Sequence, residues 1–86
     1  MLELFYTPTF IRRYDKLSEP LKEEVREKIA LFLKDPHQPS LHTHKLKGRL
    51  QGRFSFSVNY RYRVMFCYEK QDTVALLSVG DHDVYR

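Results

Sequence analysis

From Arg53 to Tyr68 polar and apolar residues alternate along the chain, and that period of two constrains the fold more than any other feature. In Arg53-Phe54-Ser55-Phe56-Ser57-Val58 the apolar side chains fall on one face and the polar ones on the other. After a tight connection at Asn59 the pattern resumes. Tyr62, Val64, Phe66 and Tyr68 share one face, and Arg61, Arg63, Met65 and Cys67 the other. Glu69 to Asp72 is a polar turn. Thr73 to Val79 is nearly continuously apolar, as suits a strand at the centre of a sheet. A sheet with one apolar face needs a cover.

The first half supplies it. Thr7-Pro8 reads as an N-cap followed by proline at the first helical position, where the missing N–H costs nothing. Phe10, Ile11, Tyr14 and Leu17 then recur at helical spacing. Ser18 caps a second helix in which Leu21, Val25, Ile29, Phe32 and Leu33 line one face as far as about Lys34. Lys22, Glu23, Arg26 and Glu27 turn to water, and Glu24 and Lys28 stand four apart, placed to pair. Asp35-Pro36 stops this helix. Ahead of both, Leu2 to Tyr6 reads as a short strand. Residues 35–44 carry two prolines and no period, so they form a loop. The expected fold is α+β: an N-terminal strand, a two-helix hairpin, then an antiparallel sheet of three further strands, with residues 1–86 forming a single domain.

Charge is distributed unevenly. Before Thr43 inclusive the chain has seven basic and seven acidic residues, and after it eight and four, so the net charge of +4 belongs to the second half. Between His44 and Arg63 lie Lys45, Lys47, Arg49, Arg53, Arg61 and Arg63 with no acid among them. Such a surface, in a chain with a pI near 9.3, favours a phosphate-rich partner. Arg61 and Arg63, two apart on a strand, would present two guanidinium groups to one phosphodiester. The sheet face carrying Ser55, Ser57, Arg61 and Arg63 is expected to meet solvent.

Six Phe and six Tyr in 86 residues are ample for a globular core. The single Cys67 excludes an internal disulfide and fits a reducing compartment. No apolar run exceeds about six residues, against the ~20 of a spanning helix, and no signal-peptide pattern opens the chain. The expected location is the cytoplasm, with no membrane partner. Four histidines, His37, His42, His44 and His82, are the natural proton carriers near neutral pH. His42 and His44 with Asp81 and Asp83 match no zinc spacing, and no metal or other cofactor is expected. There is no glycine-rich phosphate loop and no nucleophile elbow. An enzyme of this composition works with His, Arg and Tyr on a charged substrate.

Three stretches together carry a resemblance: Lys45-Leu46-Lys47-Gly48, Tyr62-Arg63-Val64-Met65-Phe66 and Ser78-Val79-Gly80-Asp81-His82-Asp83-Val84-Tyr85. With the element order, they make nearly the whole chain similar to the RelE/ParE superfamily of toxin–antitoxin toxins. The resemblance implies a ribosome-dependent mRNA endonuclease that enters the decoding site and needs no metal. It implies that Arg63 stabilises the cleaved phosphate, that Tyr85 orients or stacks the RNA, and that His82 and His44 are catalytic histidines. Arg61 has no counterpart in the resemblance; from the residues themselves, Arg61 would help Arg63, and Lys45, Lys47, Arg49 and Arg53 would bind RNA backbone and ribosomal RNA. Ser55 and Ser57 stand where RelE has two strand lysines, which marks a histidine-type variant.

The implied partners are a cognate antitoxin, mRNA and the ribosome. Two other readings share the fold: a ParE-like toxin acting on DNA gyrase, and a member that binds RNA without cutting it. In every toxin reading an acidic or amphipathic antitoxin segment would lie over the helices or over the basic sheet face.

Overall fold

Thr7 ties the two halves of the chain together. Its hydroxyl accepts from the Phe10 backbone N–H at 3.2 Å, capping helix α1 (Pro8–Asp15), and donates to the Leu76 carbonyl at 2.8 Å. Strand β1 (Glu3–Tyr6), just before it, therefore runs parallel to β5 (Thr73–Gly80), with Glu3 opposite Thr73 and Tyr6 opposite Leu76. The computed structural model describes residues 2–85, apart from the side chain of Asp83. Arg86, and the Asp83 carboxylate of the metal reading, lie outside the described residues.

Ser18 caps α2 (Glu19–Lys34) through its hydroxyl, with Pro20 in the first turn. Three more strands follow: β2 (His44–Lys45), β3 (Phe54–Ser57) and β4 (Arg63–Lys70). With β1 and β5 they make one sheet in the order β1-β5-β4-β3-β2, antiparallel except at β1. The expected α+β plan is the plan adopted. Two residues are too few to show alternation, so β2 falls within and beside what reads as loop. It is held by pairing of His44 with Ser55 and by a 2.9 Å bond from Leu46 N–H to the Arg53 carbonyl.

The helices rest on the apolar sheet face. Phe32 is fully buried and stacks on Phe56 at 4.8 Å while meeting Phe66 edge-on at the same centroid distance. Val25, Ile29, Val64, Val74, Leu76 and Val79 fill the space around them. Leu76 and Val79 both reach this core although they are three apart, because Leu77 is an extra residue between the pairs Phe66–Leu76 and Met65–Ser78. That bulge accounts for the nearly unbroken apolar run in the sequence.

Several expectations are corrected. Leu33 is 39% exposed instead of core. Among the described residues Glu24 and Lys28 do not pair; Glu24 accepts from Asn59 Nδ2 at 3.1 Å. The second sheet face is only partly open to solvent: Ser55 is fully buried and Ser78 is 5% exposed, while Ser57 and Arg63 are half-buried. The cover is the tail, which Gly80 does not simply release. A 3-10 turn (His82–Tyr85) folds back, burying Val84 so closely that a Cβ on Gly80 would stand 3.3 Å from its Cγ1.

Candidate functional site

Asn59 determines where β4 begins. Its side-chain oxygen accepts from the backbone N–H of Arg61 at 2.9 Å and of Tyr62 at 2.8 Å. These bonds replace ladder bonds, so the residues before Arg63 form a loop instead of extending β4. Arg61 is consequently exposed in that loop and is not a strand neighbour of Arg63. The same loop carries Tyr60 outward, fully exposed, although its place in the alternating pattern reads as core.

Arg63, at the start of β4, pairs with Ser57 across the sheet and donates from Nη1 to Ser57 Oγ at 3.3 Å. It stands in the wall of an open cleft of about 620 Å³. His82, at the start of the C-terminal 3-10 turn, lines the same cleft, and so do Tyr60, Lys28 from α2, and Ser40 and His42 from the loop after α2. Among the described residues no carboxylate lines it. Two cations and two imidazoles in one concave, acid-free surface make a site for an anion with proton donors and acceptors at hand.

His42 is named from sequence only as one of four histidines and in the metal grouping, not as a residue of this site. The buried Leu41 anchors a short 3-10 turn (Pro39–Leu41) in the core, and His42 ends it in the left-handed region at φ 48° and ψ 42°. Non-glycine residues seldom adopt that conformation, histidine more readily than most, and such positions cluster at functional sites. Nothing in a Pro-rich loop of no period signals it.

Beside the cleft a second group runs across the sheet. His44 Nδ1 lies 2.9 Å from the His42 carbonyl oxygen. A carbonyl only accepts, so Nδ1 carries a proton and donates it to that oxygen. Ser55 Oγ lies 3.5 Å from His44 Nε2 and accepts from the Tyr85 hydroxyl at 3.2 Å. Tyr85, Ser55 and His44 thus form one chain of hydroxyls ending on an imidazole. His44 is brought to Tyr85 by this chain and does not itself line the Arg63 cleft.

The remaining basic residues are spread more widely. Arg49 is exposed and donates from Nη2 to the Tyr85 carbonyl at 3.1 Å, fastening the tail. Lys45 and Lys47 are exposed on and after β2, and Arg53 is exposed ahead of β3, on the side where the tail folds back. Among the described residues no three His, Cys, Asp or Glu side chains are grouped to hold a metal ion. No helix among them is long and apolar enough to cross a membrane.

No protein-family model and no curated protein matches this sequence. Solved structures do match. A YoeB/ParE toxin from Agrobacterium tumefaciens superposes with a TM-score of 0.79 at 15% identity, over 94% of this chain and 99% of that one. YafQ from E. coli gives 0.80 at 11% identity, over 99% and 98%. The toxin–antitoxin complex RelBE2 from Mycobacterium tuberculosis gives 0.77 at 23% identity, over 93% and 96%. At these identities the likeness is one of fold, and it spans nearly the whole length of both chains. The chain has the fold of the RelE, YoeB and YafQ toxins.

Proposed function

We propose that this protein is the toxin of a type II toxin–antitoxin system and a cytoplasmic, ribosome-dependent mRNA endoribonuclease. The observation that supports the reading is the cleft in which Arg63 and His82 stand together with a second imidazole, His42. The solved neighbours, described as toxins, support it at the level of fold.

The chemistry is an internal displacement. A histidine of the cleft takes the proton from a ribose 2′-hydroxyl, whose oxygen forms a bond to the adjacent phosphorus. The bond from phosphorus to the 5′-oxygen breaks, and the other histidine returns a proton to that leaving oxygen. The products are a 2′,3′-cyclic phosphate and a 5′-hydroxyl, with no oxidant, water or metal in the balance. Each proton transfer contributes ~10²–10⁴-fold. Arg63, held by Ser57, stabilises the charge growing on the phosphate oxygens, and Lys28 adds to the field. Arg61, exposed in the neighbouring loop, meets the same strand further out.

Tyr60 offers its exposed ring to a base next to the scissile link. Tyr85 holds the tail against Ser55, so that His82 at the other end of the same turn is kept at the cleft. His44 serves through Ser55 as a positioning residue. Lys45, Lys47, Arg49 and Arg53 neutralise RNA backbone beyond the cleft. The antitoxin lays the apolar side of an amphipathic segment along the groove between α1 and α2, where Tyr6, Ile11 and Leu33 are 45%, 47% and 39% exposed.

Primer extension on mRNA, translated with purified ribosomes, tests the assignment beside a gyrase supercoiling assay. The expected result is new 5′ ends only when ribosomes are present, and unchanged supercoiling. Inhibited supercoiling with intact mRNA would transfer the protein to the gyrase-directed reading.

A further inference from the structure

We propose that Arg12, Arg13 and Lys16, at the C-terminal end of α1, form a second phosphate-binding patch for the mRNA strand as it leaves the cleft. The inference rests on the ribonuclease reading for its occupant. The three cations wall a shallow cleft of about 400 Å³ together with Tyr62, Gly80 and Asp81. Counting charge along the chain hides this patch, because the first half is neutral in sum. Folding separates that sum. Two of the four cations of α2 are paired with its own acids, Lys22 with Glu19 at 3.4 Å and Arg26 with Glu23. Among the described residues Arg12, Arg13 and Lys16 form no such pair. One carboxylate, Asp81, faces three cations across the cleft.

Position selects the occupant. Gly80 is the Cα partner of Arg63 on the neighbouring strand, and Asp81 immediately precedes His82. The patch therefore begins where the catalytic cleft ends, on the other side of the chain's exit from β5. Arg13 also borders the next cleft, which it shares with Arg53. Among the described residues Asp81 is the one carboxylate lining either the Arg63–His82 cleft or the α1 cleft. Two arginine forks and an ammonium suit phosphate oxygens spaced along a backbone.

The test is the Arg12→Ala/Lys16→Ala double variant, both positions being exposed. Arg13 is left in place because its guanidinium approaches Gly80. Binding of a fluorescent single-stranded RNA of about twenty nucleotides is followed over a range of salt. Each lost phosphate contact removes about 0.7 from the slope of log affinity against log salt, so the double variant should be shallower by about 1.4. An unchanged slope overturns the patch. So does a slope that is unchanged while affinity for the antitoxin falls, which would give the surface to a protein partner. A parent protein that does not bind the free strand also overturns it. The nuclease reading is judged separately, by cleavage on ribosomes with the Arg63 and His82 variants.

Discussion

Tyr85 donates its hydroxyl to Ser55 Oγ at 3.2 Å, joining the last turn of the chain to the middle of strand β3. The bond crosses thirty positions of sequence and determines where the tail lies. His82 begins the turn that Tyr85 ends, so this bond, with buried Val84 and the Arg49 contact, holds the imidazole at the cleft.

Removing the fastening should therefore reduce activity as well as stability. Tyr85→Phe loses one hydrogen bond, worth about 0.5–1.5 kcal/mol, and mRNA cleavage should slow by roughly two- to tenfold. Ser55→Ala frees both Tyr85 and His44 and should slow cleavage at least as much. Single-turnover rates on ribosome-bound mRNA, set beside urea denaturation midpoints, separate the two effects. A large fall in stability with an unchanged rate would give Ser55 a packing role only.

Tyr60 is fully exposed, so truncating it should leave stability within about 0.5 kcal/mol. If its ring carries a base, Tyr60→Ala should weaken RNA binding by about 1–3 kcal/mol while Tyr60→Phe retains most of it. Fluorescence anisotropy with a short RNA reads the difference. Equal binding by the two variants would remove Tyr60 from the site.

Phe32 has no exposed surface and touches aromatic rings of both β3 and β4. Phe32→Ala should cost about 3–5 kcal/mol, enough to threaten folding of a domain this small. The unfolding midpoint in denaturant measures it.

Cys67 is partly buried, and that desolvation, aided by Glu69, raises its thiol above the ordinary range, while Arg53 pulls the other way. The folded protein holds this proton more firmly than the unfolded chain. Its contribution to stability is thus present below the ordinary thiol value and is lost as pH rises through the raised one. Alkylation at a pH of about 8.5 should be slower than for a free cysteine and recover on unfolding. As pH rises above the ordinary thiol value, wild type should lose more stability than Cys67→Ala.

The frame of the molecule is legible in the sequence because its signals are local. Thr7-Pro8 and Ser18 with Pro20 mark two helix starts, and the alternation of Phe54, Phe56, Val64 and Phe66 marks the face they cover. The site is only half legible. Arg63 and His82 stand out by type and position, but nothing local places them in one cleft. Asn59 turns Arg61 off the strand by side-chain bonds that the alternating pattern does not register. His42 depends on a backbone conformation imposed by its anchored neighbour Leu41. The partly covered second face depends on the tail folding back at Gly80, a long-range contact without a periodic signature.

The most direct test of the central claim is the chemistry of the cut ends on ribosome-bound mRNA, measured for wild type, Arg63→Ala and His82→Ala. Cleavage by the Arg63–His82 cleft predicts 5′-hydroxyl ends and 2′,3′-cyclic phosphates. It also predicts a fall of about 10²–10³-fold for Arg63→Ala and of about 10²-fold or more for His82→Ala. Ends bearing a 5′-phosphate, or variants that cut as fast as wild type, would contradict it.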